Sequence, residues 1–113
     1  MYNKMIFFDL ASYDFNVFKS KLKDINFVSG ATYFIDVYIV EKSFSMESKF
    51  KRVKSIPFSL TEKSRDEVFR GLYLDIYTTV SYSEVGSYSD EDGVYYEKAF
   101  YICISIGDIL EIY

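Results

Sequence analysis

The first third of the chain carries two kinds of hydrophobic spacing. Residues 5–10 form a short apolar run with aromatic and branched side chains, which is typical of a largely buried strand. Ser12 or Asp14 can cap a following amphipathic helix, because apolar side chains then recur at three- and four-residue steps: Phe15, Phe18, Leu22 and Ile25. Residues 33–40 alternate between two faces and predict a second strand.

Residues 49–60 fit either a helix or a strand. A hairpin partner for the second strand is the more economical interpretation, with Pro57 at an edge or a strand end. Ser64 followed by Glu67 is a capping box and predicts a second short helix, which Gly71 would close.

Beyond Gly71 the hydrophobic period changes to two. Residues 72–83 and 94–106 both alternate, and turn-forming residues separate them at 86–93, so the two runs are expected to pair as a hairpin. Residues 109–113 suggest a last short strand. The order of elements predicts a single α+β domain over residues 1–113, with a ferredoxin-like β-α-β-β-α-β plan, an antiparallel sheet, two short helices and an extra C-terminal strand or hairpin.

Composition removes most enzyme chemistry. The 113 residues include no His, no Trp and one Cys, so an internal disulfide, a Cys/His zinc cluster and an imidazole base are excluded. No spacing in the sequence identifies a nucleophile paired with a base. We therefore expect neither catalysis nor a cofactor nor a metal. The N-terminus does not resemble a signal peptide and no apolar run is long enough to span a membrane, so we expect a cytoplasmic protein without a membrane partner.

Charge is distributed unevenly about a formal net value of −4. Residues 1–57 hold nine Lys or Arg and six Asp or Glu, whereas residues 58–113 hold four and eleven. Asp90, Glu91 and Asp92 could form part of a calcium loop, but the glutamate that closes such a loop is missing. A solvated hairpin tip that makes first contact with a partner is the favoured interpretation.

Tyrosine is the unusual component, at twelve residues beside eleven phenylalanines. If the apolar members of the predicted strands face the helices, tyrosines and carboxylates share the opposite face: Asp36, Tyr38, Tyr73, Asp75, Tyr77, Tyr95, Glu97 and Tyr101. Tyrosine is enriched at interface hot spots. The alternatives are that the C-terminal segment covers this face or that it simply displays strand-forming tyrosines.

These features predict a small acidic inhibitor that occupies a basic surface of a larger protein, such as a nuclease or another nucleic-acid-binding enzyme. Toxin immunity proteins and phage anti-defence or anti-CRISPR proteins have this character and size. One alternative is a nucleic-acid-binding domain that uses the basic strand with Lys49, Lys51, Arg52 and Lys54. The glycines that an RNA-recognition motif requires are missing from this chain. Another is a structural subunit that self-associates through a sheet edge.

Overall fold

The computed structural model describes residues 3–40, 50–83, 88–89, 93, 95–96 and 98–106. Its regular elements, in chain order, are β1 (Asn3–Asp9), a short 3-10 turn (Leu10–Ser12), α1 (Phe15–Leu22), β2 (Thr32–Val40), β3 (Phe50–Ser59), α2 (Arg65–Ser81), β4 (Tyr88–Ser89), β5 (Tyr95–Tyr96) and β6 (Ala99–Ile106). The predicted strand at residues 109–113 and most of the turn at 86–93 lie outside the described residues.

Four strands form one antiparallel sheet in the order β1-β6-β2-β3, and β4 pairs with β5 separately. The α+β class, the antiparallel sheet and the two helices are as expected. The ferredoxin-like order is not confirmed, because β6 rather than β3 lies between the first two strands. The composition of the strands explains their places: β6 is uncharged and apolar, whereas β3 carries three basic residues and Pro57, which an edge strand tolerates.

Both helices cover the same face of the sheet. One core cluster joins Phe18 and Leu22 of α1, the buried residues of α2 and the helix-facing residues of β1, β2 and β6. Its largest fully buried side chains include Phe8, Phe18 and Phe100, and the Phe8 and Phe100 rings are stacked with centroids 5.3 Å apart. These apolar residues explain why the strands alternate in burial and why α1 has a single buried side.

The first predicted helix is confirmed, and its cap is resolved in favour of Asp14. The Asp14 carboxylate accepts a hydrogen bond from the Val17 backbone N–H at 2.8 Å, which satisfies one free donor of the first turn. Ser12, the alternative cap, instead donates its hydroxyl hydrogen to the Asp9 carbonyl.

The predicted strand at residues 72–83 is wrong, because α2 continues through Gly71 to Ser81. The φ of Gly71 is not positive, so this glycine is not the cap that would end a helix. Ser64 does precede the helix, but the capping box is also wrong. The Ser64 hydroxyl makes no hydrogen bond to the first turn of α2 and accepts one from the Thr61 N–H instead. The described residues of 72–83 and 94–106 therefore form no hairpin, and β6 pairs with β1 and β2.

Candidate interaction surface on the outer face of the sheet

The structure divides the predicted tyrosine and carboxylate surface into separate regions. Asp36, Tyr38 and Tyr101 lie on the sheet face that points away from both helices. Residues Tyr73, Asp75 and Tyr77 belong to α2 on the opposite side of the sheet. Tyr95 pairs with Ser89 in the small two-stranded sheet. Four predicted carboxylates and one lysine lie outside the described residues: Asp90, Glu91, Asp92, Glu97 and Lys49.

We call the strand side chains that point away from the helices the outer face. Cross-strand register arranges them in rows, because directly paired residues place their side chains on the same side of a sheet. They include Met5, Phe7, Phe34, Asp36, Tyr38, Phe50, Arg52, Ser55, Pro57, Tyr101, Cys103 and Ser105, together with Val40 and Ala99, which are buried. Neither α1 nor α2 packs on this face.

An aromatic row crosses the outer face from β1 to β3. Tyr101 of β6 is paired with Phe7 of β1 on one side and with Tyr38 of β2 on the other. The Tyr101 ring meets the Phe7 ring edge-on at 5.2 Å and the Phe50 ring edge-on at 4.9 Å. Edge-on contacts are a favourable geometry for aromatic pairs, so these rings stabilise one another.

One carboxylate lies within this surface. Asp36 is paired with Cys103 of β6 and with Ser55 of β3, and its side chain is only 18% exposed. Its counter-charge is Arg52, whose guanidinium nitrogen lies 3.8 Å from a carboxylate oxygen and whose side chain is 60% exposed. At that distance and exposure the ion pair contributes at most about 1 kcal/mol.

Cys103 is held in its neutral form. Burial raises the pKa of the Cys103 thiol, and the neighbouring Asp36 carboxylate raises it further. Because the thiolate is the reactive form, this cysteine is a poor nucleophile at neutral pH.

The tyrosines of α2 are largely committed to the fold. Tyr13, which follows the 3-10 turn, is buried and donates its hydroxyl hydrogen to the Tyr73 carbonyl at 3.2 Å. The rings of Tyr13 and Tyr73 lie 4.9 Å apart, and Tyr77 stacks over Tyr13 at 6.4 Å. Asp75 accepts a 2.6 Å bond from Lys54 of β3. Sequence reasoning missed Tyr13, because it precedes the helical stripe that identifies the core.

The basic strand does not present one continuous positive stripe. Arg52 is paired with Tyr38 on the outer face, whereas Lys51 and Lys54 are paired with Ile39 and Val37, which face the helices. A bulge between Val37 and Tyr38 shifts this register. The predicted basic residues are therefore divided between the two faces, and Lys54 is engaged with Asp75.

Within the described ranges, no group of three or more His, Cys, Asp or Glu side chains could hold a metal ion. No helix among the residues described is long and apolar enough to cross a membrane. Comparison of the chain with protein families, with curated proteins and with solved structures produced no match.

Proposed function

We propose that this protein is a small, non-catalytic binding protein whose contact surface is the outer face of the sheet, and that it inhibits a larger partner by occupying it. The observation that carries the proposal is the position of Phe34, Asp36 and Tyr38. They lie half-buried on a sheet face that neither helix covers, on the face opposite the core cluster. A rigid strand that displays aromatic rings on both sides of a carboxylate matches the composition of interface hot spots.

The aromatic residues would supply most of the affinity. Phe34 and Tyr38 are held by a strand that is hydrogen-bonded on both sides, to β6 and to β3, so little conformational entropy is lost when a partner orders them. Met5, which is 53% exposed, extends the apolar area across β6 toward the edge strand β1. The central Asp36 would accept a basic side chain of the partner in place of Arg52.

The charge of the chain supports a basic partner. Formal net charge is −4, and residues 58–113 hold eleven Asp or Glu against four Lys or Arg. Net charge of one sign speeds association with an oppositely charged partner more than it tightens the complex. In this proposal the acidic second half of the chain attracts a basic surface, such as that of a nuclease, and the outer face binds it. Toxin immunity proteins and phage anti-defence or anti-CRISPR proteins are the classes that this description fits.

The test compares one tyrosine on each side of the molecule. A partner captured from lysate of the source cells with the wild-type protein is titrated by calorimetry against Tyr38→Ala and Tyr77→Ala. We expect Tyr38→Ala to weaken binding about 30-fold, because truncation of a hot-spot residue costs about 2 kcal/mol, and to leave the fold intact by circular dichroism. Tyr77→Ala, on the helix side, is expected to bind as the wild type does. Equal affinities for the Tyr38 variant and the wild type would place the interface elsewhere.

Nucleic-acid binding is the second candidate, because Arg52 shares the outer face with Phe34 and Tyr38. Aromatic rings beside a guanidinium form a stacking platform for single-stranded bases. The net negative charge and the presence of Asp36 on the same face oppose it. We expect no shift of mixed-sequence oligonucleotides at physiological salt. A salt-dependent complex that is lost in the Lys51→Glu, Arg52→Glu double variant would reverse the ranking.

A further inference from the structure

β1 is an edge strand that carries few of the usual protections. Among the described residues it pairs only with β6, so its other side presents backbone groups that could accept another strand. Residues 5–8 are apolar and contain no proline and no charge. The opposite edge, β3, is protected by Pro57, by exposed lysines and by the bulge in its pairing.

Two side chains from the segment that follows β1 return to the edge of β1 that points away from β6. The Lys21 ammonium donates a 2.5 Å hydrogen bond to the Phe7 carbonyl, and the Ser12 hydroxyl donates to the Asp9 carbonyl at 3.2 Å. Phe7 and Asp9 are two residues apart, so their carbonyls point to the same side of the strand. That side faces away from β6, because the Leu10 N–H donates to the Lys98 carbonyl and neighbouring residues of a strand point their backbone groups to opposite sides.

Lys21 is held in this place by a second contact. Its ammonium nitrogen lies 4.6 Å above the centre of the Phe8 ring, so the charge is positioned between an aromatic face and the edge carbonyl. The pKa of Lys21 is lowered because the ammonium is partly removed from water. Lys19, on the same helix, has a different role: it lies 3.5 Å from Asp66 and over the Phe15 ring.

We propose that Lys21 closes the β1 edge against a second copy of this chain. A strand that pairs antiparallel with an identical strand forms a two-fold symmetric contact, and the uncharged segment at residues 5–8 presents no like charges to oppose it. An ammonium bonded to the Phe7 carbonyl occupies the acceptor that such a pair would use and places a positive charge at the seam. This proposal is independent of the partner that binds the outer face.

The test removes the charge and keeps the length of the side chain. In Lys21→Met the thioether can still cover Phe8, but the Phe7 carbonyl loses its bond to the ammonium and the positive charge is removed from the edge. Size-exclusion chromatography with light scattering, over a range of concentrations, is expected to show the wild type at the mass of one chain and the variant at about twice that mass. Lys23→Met is the matched control, because Lys23 is an exposed lysine two residues further on. It is expected to remain monomeric.

A second variant shows whether association uses the β1 edge. Met5 lies two residues before Phe7, so its N–H also points away from β6, and Met5→Pro removes an outward donor without breaking the ladder. Adding Met5→Pro to Lys21→Met is expected to restore the monomer. A Lys21→Met protein that stays monomeric would overturn the proposal, and so would association that the added proline does not reverse.

Discussion

Single side chains decide how the two helices are joined, and Tyr13 is the clearest case. It is buried against Phe8, Phe18 and Phe100, yet its hydroxyl finds an acceptor in the Tyr73 carbonyl of α2. A buried hydroxyl without such a partner would be destabilising. The sequence revealed the apolar stripe of α1 and two candidate caps, Ser12 and Asp14, because both are local signals. Tyr13 could not be identified, because its partner is 60 residues away.

Because of Tyr13, we expect the folded protein to lose stability at alkaline pH. Burial raises the pKa of its phenol above the usual value of 10.0, so above pH 10 the unfolded chain loses this proton before the folded protein does. The contribution of Tyr13 to the free energy of unfolding is constant below that pH and decreases as the pH rises further. Tyr13→Phe is expected to lose about 1 kcal/mol at neutral pH, where its hydrogen bond is missing.

Above pH 10 the Tyr13→Phe protein is expected to lose stability less steeply, by up to about 1.4 kcal/mol per pH unit. Urea unfolding at a series of pH values measures the difference. Tyr82→Phe is the control, because the Tyr82 side chain is 88% exposed. Parallel pH curves for Tyr13→Phe and the wild type would show that this phenol is not protected from ionisation.

At the scale of elements, α2 shows where local patterns are insufficient. The alternating set that predicted a strand and the helical set that the structure buries share three residues: Leu72, Ile76 and Val80. The strand-forming residues Thr78 and Thr79 favoured the wrong choice. The connection decides between them: β3 and β6 both run antiparallel to β2, so they are parallel to each other and require a crossover, which α2 supplies. Strand order is not visible in the sequence.

Leu74 and Ile76 test the assignment of α2. An alternating strand would bury both, whereas in the helix Ile76 is fully buried and Leu74 is 54% exposed. Ile76→Ala is expected to lower the free energy of unfolding by about 2–5 kcal/mol, because it leaves a cavity in the core. Leu74→Ala is expected to change it by less than about 0.5 kcal/mol. Chemical denaturation measures both free energies of unfolding. Equal losses for the two variants would support a strand at these residues and contradict the helix.

At the scale of the whole molecule, the proposed binding surface is the outer face. One face of the sheet is covered by α1 and α2, the β1 edge is capped by Lys21, and the β3 edge carries Pro57. In our proposals these two edges disfavour self-association through strands, and a partner binds the outer face instead.

The residues predicted to share a face do so only where the predicted strands are present. Asp36, Tyr38 and Tyr101 lie together because alternation with a period of two assigns them to one side of β2 and β6. Tyr73, Asp75 and Tyr77 were expected on the same face only because alternation predicted a strand where α2 lies. An error in the local secondary structure thus placed three of the seven described residues of the predicted surface on the wrong side of the sheet.

Site-specific photo-crosslinking in the source cells tests the proposed interface most directly, because it labels whichever protein lies against the chosen position. The photoreactive residue p-benzoylphenylalanine is introduced in place of Phe34 on the outer face or of Tyr77 on α2. Both positions carry an aromatic ring, and each half of the experiment controls for the other. We expect position 34 to yield a discrete crosslink to one larger protein and position 77 to yield none. A crosslink to that protein from position 77 without one from position 34 would contradict the account.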